Sequence, residues 1–64
     1  MTNRYRVTVI VGGRQMLRGW WQDENVARRK FTKWVGEHGA RPDVRITLTD
    51  EESGVTLTQW PDTE

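Results

Sequence analysis

Residues 23–39 read DENVARRKFTKWVGEHG, and the spacing of apolar side chains in this stretch decides the architecture. Ala27, Phe31, Trp34, Val35 and His38 recur at i, i+4, i+7, i+8 and i+11, which lines them up along one stripe of a helix. Arg28, Arg29, Thr32, Lys33, Gly36 and Glu37 occupy the other side. Asp23 suits the N-cap, because its carboxylate can accept the orphan N–H groups of the first turn. Glu24 in that turn favours the positive end of the helix dipole. Gly39 ends the helix where a left-handed residue is wanted, and Pro42 forbids its resumption. The sequence therefore predicts a helix over about 24–38. Gly36 inside it costs about 1 kcal/mol relative to Ala, so either the stop begins early or something approaches closely there.

On both sides of the helix the period drops to two, the mark of a half-buried strand. Tyr5, Val7, Val9 and Val11 fall on one face, with Arg4, Arg6, Thr8 and Ile10 on the other. Gly12-Gly13 supplies the positive φ of a tight hairpin. The return strand, Arg14 to Trp21, is expected to turn Leu17, Gly19 and Trp21 inward and Met16, Arg18 and Trp20 outward. After Pro42, Val44, Ile46 and Leu48 alternate with Arg45, Thr47 and Thr49. Asp50-Glu-Glu-Ser-Gly54 reads as a polar hairpin loop. Val55 and Leu57 then alternate with Thr56, Thr58 and Trp60 before Pro61 stops the strand.

The order is ββαββ in a single domain, 1–64. The expected fold is α+β and β-grasp-like: a four-stranded mixed sheet of order 2-1-4-3 with the helix on one face. The first and last strands would lie parallel at the centre, and the second and third would form the edges. The expected core is Tyr5, Val7, Val9, Val11, Leu17, Ala27, Phe31, Trp34, Val35, Val44, Ile46, Leu48, Val55 and Leu57.

The segment Ala27-Arg-Arg-Lys-Phe31-Thr-Lys-Trp34-Val-Gly-Glu-His-Gly39 resembles the helix of the immunoglobulin-binding domain of streptococcal protein G. That domain has alanine, phenylalanine, tyrosine and glycine at the positions of Ala27, Phe31, Trp34 and Gly39. Met16-Leu-Arg-Gly19 is similar to its second strand, and Asp50–Gly54 sits where its second hairpin turns. The resemblance covers most of the chain, at core and cap positions, and implies the fold. It does not imply antibody binding. Arg28 stands where the family has an acidic residue, Gly36 where it has asparagine, and Val44 where it has tryptophan.

Composition narrows the function. At 64 residues the chain is near the lower limit at which one core sustains folding without staples. With no cysteine and one histidine it offers no disulfide framework, thiol nucleophile, thiolate zinc site or multi-histidine metal site. Four tryptophans and a 9% aromatic share argue against disorder. No apolar run approaches the roughly 20 residues that span a bilayer, and no signal peptide is visible. The expected compartment is the cytoplasm, with no membrane association. Net charge is +1 but unevenly spread. Residues 1–41 carry nine basic and three acidic side chains (+6), and residues 42–64 one basic and six acidic (−5). Either the two parts neutralise each other in the fold or the first part meets an anionic partner.

No residues assemble a reaction centre. His38 sits at the helix end, where a cationic imidazole favours the dipole. Asp50, Glu51 and Glu52 match no calcium loop, Ser53 has no evident base, and Gly12-Gly13 lacks the rest of a P-loop. The expectation is a non-enzyme without cofactor or metal.

The outer sheet face is the candidate surface: Arg4, Arg6, Arg18, Trp20, Arg45, Thr56, Thr58 and Trp60. Arginine with tryptophan dominates protein-interface hot spots, and the same pair holds nucleic acid on sheet platforms. It can also be self-shielding, by Arg stacking on Trp. The first functional reading is a protein-interaction module with an unidentified protein partner, and the alternative is nucleic-acid binding by that face plus the basic helix surface of Arg28, Arg29 and Lys33. Edge strands leave room for a monomer or a weak edge-to-edge homodimer, with Arg14, Arg18 and Arg45 as charges that discourage random pairing.

Overall fold

The computed structural model describes residues 3–61; Asp62 and Glu64, two of the acids counted above, lie outside them. Strands β1 (Tyr5–Val11) and β2 (Arg14–Trp21) form the first hairpin. Helix α1 (Glu24–His38) follows, then β3 (Val44–Asp50) and β4 (Val55–Trp60). The four strands make one sheet beneath a single helix, an α+β domain. Gly12 and Gly13 both have positive φ, at 58° and 80°, the backbone twist that a two-residue hairpin turn requires. Asp23 caps α1 as expected, its Oδ1 accepting the Asn25 N–H at 2.8 Å.

The sheet order is β2-β1-β3-β4, and every neighbouring pair is antiparallel. This corrects the mixed 2-1-4-3 arrangement. Chain direction allows both orders: α1 crosses the sheet once, so β3 must run antiparallel to β1 and β4 parallel to it. What separates the two is which strand docks beside β1. Antiparallel hydrogen bonds run straight across the ladder, whereas parallel ones are slanted and slightly weaker. The β3 pairing also opposes Tyr5 to Asp50, bringing the acidic loop alongside Arg4 and Arg6. The edges are therefore β2 and β4. As a central strand, β3 buries Val44, Ile46 and Leu48 almost completely.

The inner face is organised in cross-strand rows. Gly19, Val7, Leu48 and Thr58 form one; Leu17, Val9, Ile46 and Trp60 form the next. Tyr5, Val7, Val9, Ala27, Val44, Ile46 and Leu48 are the buried core. Val11, Leu17, Trp21, Phe31, Trp34, Val35 and Leu57 pack around it half-buried. Trp21 meets Trp34 edge to face, with ring centroids 5.9 Å apart, a favoured aromatic geometry. Val55 departs from expectation. It is 54% exposed, because α1 packs on β1, β2 and β3 and has no comparable packing on β4.

Gly39 also departs, with a right-handed φ of −66°. Its lack of a side chain serves a close approach instead. The Trp60 Nε1 donates to the Gly39 carbonyl at 3.1 Å, and a Cβ on Gly39 would meet that indole nitrogen at 2.7 Å and crowd the Val35 carbonyl. At Gly36, by contrast, nothing approaches within 4 Å of where a Cβ would stand.

Gly36, with open space beside it, and Gly19, which faces the Trp21 ring, predict opposite responses. Gly36→Ala should raise the urea midpoint, by about 1 kcal/mol of stability. Gly19→Ala should lower it by about 1–3 kcal/mol, since its Cβ would stand 2.5 Å from the Trp21 ring. Equal shifts of the same sign would contradict this packing.

Candidate interaction surface

The outer face opposes α1, and no described element covers it. Two β-bulges decide what it carries. In β2 the register slips between Val9 and Ile10, so that Leu17 opposes Val9, Gln15 opposes Ile10, and Met16 is the extra residue. In β4 the slip lies between Leu48 and Thr49, and Leu57 is the extra residue. A bulge shifts the in–out alternation by one residue beyond it. Thr56 stays outward, opposite Thr49, but Thr58 pairs with Leu48 and Trp60 with Ile46. Thr58 and Trp60 are thus moved to the helix side, and Gln59 takes the outward place opposite Thr47. Strict alternation, carried past Leu57, had assigned both to the outer face.

What remains outside is ordered in rows. Trp20, Arg6, Thr49 and Thr56 make the first, Arg18, Thr8, Thr47 and Gln59 the second, and Gln15, Ile10 and Arg45 the third. Thr8 and Thr49 are buried although they face away from the helix. Each is a short side chain flanked across the ladder by an arginine: Arg18 beside Thr8, and Arg6 beside Thr49.

The arginines near the chain start are occupied. Arg4 grips Asp50 with both prongs of its guanidinium, Nε to Oδ1 at 2.9 Å and Nη2 to Oδ2 at 2.8 Å. Its Nη1 lies 3.4 Å from Glu52, and the Glu51 N–H donates to the Arg4 carbonyl at 2.8 Å. Arg6 Nη1 reaches Glu51 Oε2 at 3.1 Å. The same Glu51 carboxylate accepts a long hydrogen bond from Trp20 Nε1 at 3.4 Å. Arg18 completes the corner, its guanidinium carbon 5.0 Å from the centre of the Trp20 ring, within cation–π range. The acidic loop thus neutralises Arg4 and Arg6, while Trp20 stays 38% exposed. The shallow depression lined by Asn3, Arg4, Glu51 and Glu52 is the gap beside these paired charges.

On the helix, Arg28 is tied to Glu24 one turn earlier at 2.7 Å, so of the expected patch of Arg28, Arg29 and Lys33 the last two are left without an ion pair to a described acid. Arg18, Arg29, Lys33 and Arg45 form no ion pair with a described acid. His38 is half-buried, with Nε2 3.8 Å from Glu37 and Nδ1 buried without a hydrogen-bond partner among the described residues. Among the described residues no cluster of three potential metal-ligating acids or histidines occurs, and no helix is long and apolar enough to cross a membrane.

The sequence pointed to Arg6, Arg18 and Trp20 together and did not foresee Glu51 as the residue joining two of them. Glu51 read as part of a solvated turn, since its partners lie on another hairpin. No known family model, curated protein or solved structure matches this chain.

The grip of Arg4 holds the Asp50 carboxyl down from 3.8 to about 2, against the opposing effect of desolvation and helped by the Glu52 N–H. Because the folded value lies below the unfolded one, the stabilisation is present above the ordinary carboxylate range and is lost as pH falls toward 2. Asp50→Asn should therefore flatten the fall in urea midpoint over that window. A variant whose acid profile overlays the wild type would remove Asp50 from this role.

Proposed function

We propose that the protein is a small non-catalytic binding module that recognises another protein through the corner of the outer sheet face formed by Arg6, Arg18 and Trp20. The observation that carries the reading is the state of that corner. Its ring is exposed, with the Arg18 guanidinium over it and a long hydrogen bond to Glu51, contacts that lower the side-chain freedom to be lost on binding. Hot spots are built from such anchored tryptophans and arginines. Arg4 and Arg6, already paired with carboxylates, are poorly placed to replace counterions on phosphates, which favours a protein partner over a nucleic acid. The rows of threonine beside the corner offer a flat, weakly polar surface of the kind that surrounds an anchor. The absence of cysteine is consistent with a cytoplasmic site of action.

Nucleic-acid binding is the second reading, carried by cations without described ion-pair partners, among them Arg18 and Arg45 on the sheet and Arg29 and Lys33 on the helix. The two differ in their response to salt.

Affinity capture from host lysate should retain a protein at high ionic strength. Trp20→Ala should lose it by about 30-fold or more while leaving the urea midpoint close to wild type, and Lys33→Ala should not. Amide shifts on Arg18 and Trp20 that appear with mixed-sequence DNA and fade steeply with salt would overturn the protein reading in favour of the second.

A further inference from the structure

Because β3 lies inside the sheet, β4 is an edge, and it is an unusual one. The other edge, β2, carries Arg14 and Arg18 and an interior glycine, devices that discourage strand addition. Strand β4 reads Val-Thr-Leu-Thr-Gln-Trp, with no charge, proline or glycine, a composition suited to strand pairing. The two apolar residues at its ends, Val55 and Trp60, are 54% and 38% exposed. α1 covers neither.

We propose that β4 pairs with the β4 of a second copy of this chain, antiparallel about a two-fold axis, joining the two sheets edge to edge. The bulge supplies the argument for a second copy as occupant. In a regular six-residue strand the first and last residues face opposite sides, so a full-length antiparallel match with itself would set inward side chains against outward ones. Here the extra residue changes that. Val55, opposite Asp50, lies on the inner side, as do Leu57, which packs on the core, and Thr58 and Trp60. Thr56 and Gln59 lie outward. In, out, in, in, out, in reads the same from both ends.

A full-length pairing therefore keeps every face matched. Val55 meets the partner's Trp60, Thr56 the partner's Gln59, and Leu57 the partner's Thr58, each contact occurring twice. A β-branched residue against an aromatic one is a favourable cross-strand pair, and it would cover the two exposed apolar ends together. No like charges within the strand oppose one another. Bulges commonly blunt an edge by twisting it; this one also makes the strand complementary to itself. The surface is distinct from the outer-face corner, so neither proposal rests on the other.

Sedimentation equilibrium of the full chain tests it. The weight-average mass should rise from 7.5 kDa toward twice that value with concentration and level off there. Thr56→Lys with Gln59→Lys sets like charges opposite each other across the axis and should weaken association about ten-fold. The pair Thr56→Lys with Gln59→Glu sets opposite charges there and should restore or strengthen it. Val55→Lys, at a site already exposed in the monomer, provides a second disrupting variant should the first fail to fold. A monomer mass up to about 1 mM, growth beyond two copies without a plateau, or an association unmoved by either charge pair would overturn the proposal.

Discussion

One helix must cover a sheet wider than itself. The outer strands of a four-stranded sheet lie about 14 Å apart, whereas an α-helix with its side chains is about 10–12 Å across. Much of the structure follows from how that mismatch is shared. α1 sits over β1, β2 and β3, so the fully buried residues lie mostly on β1 and β3. Trp21, Trp34 and Phe31 are half-buried at the margins of the layer. β4 is the strand left over, with Trp60 reaching back to the Gly39 carbonyl as its main link to the helix end.

The opposite face solves a different problem. With nothing above it, it cannot be apolar, yet fully solvated charge at its centre would give the middle strands little to pack. Threonines occupy the middle and arginines flank them, their stems able to cover the short side chains while the charged heads remain in water. The loop after β3 then returns its carboxylates to Arg4 and Arg6. Part of the charge asymmetry of the sequence is internal neutralisation across the β1–β3 pair, where Arg4 and Arg6 meet Asp50, Glu51 and Glu52. The more exposed pairs, Arg4–Glu52 and Arg6–Glu51, contribute little each; the two-pronged Arg4–Asp50 pair, whose carboxylate is buried, is the stronger one. Through Glu51 the same loop also reaches the Trp20 indole.

Much of this was legible in the residues. The helix limits, the Asp23 cap, the Gly12-Gly13 hairpin and the polar loop, expected over 50–54 although Asp50 ends β3, follow from local chemistry, and local chemistry is encoded within a few neighbouring residues. The inward places of Val7, Val9, Ile46 and Leu48 follow from a strict period of two. Arg6, Arg18 and Trp20 were legible as a group because they lie on the first two strands, whose pairing a short turn dictates. Their tie to Glu51 was not, because it depends on which strand lies on the far side of β1.

The sequence by itself determined the set of elements, their order, and which side of most strands is apolar, since caps, turns and periodicity are properties of contiguous residues. Only the tertiary structure decided that β3 and not β4 stands beside β1, and that Thr58 and Trp60 turn toward the helix. A pattern of alternation says that a strand has two faces; it does not say which strand is its neighbour or where a bulge will interrupt the alternation. Those outcomes are settled by hydrogen-bond geometry between strands and by how far one helix can reach across a sheet.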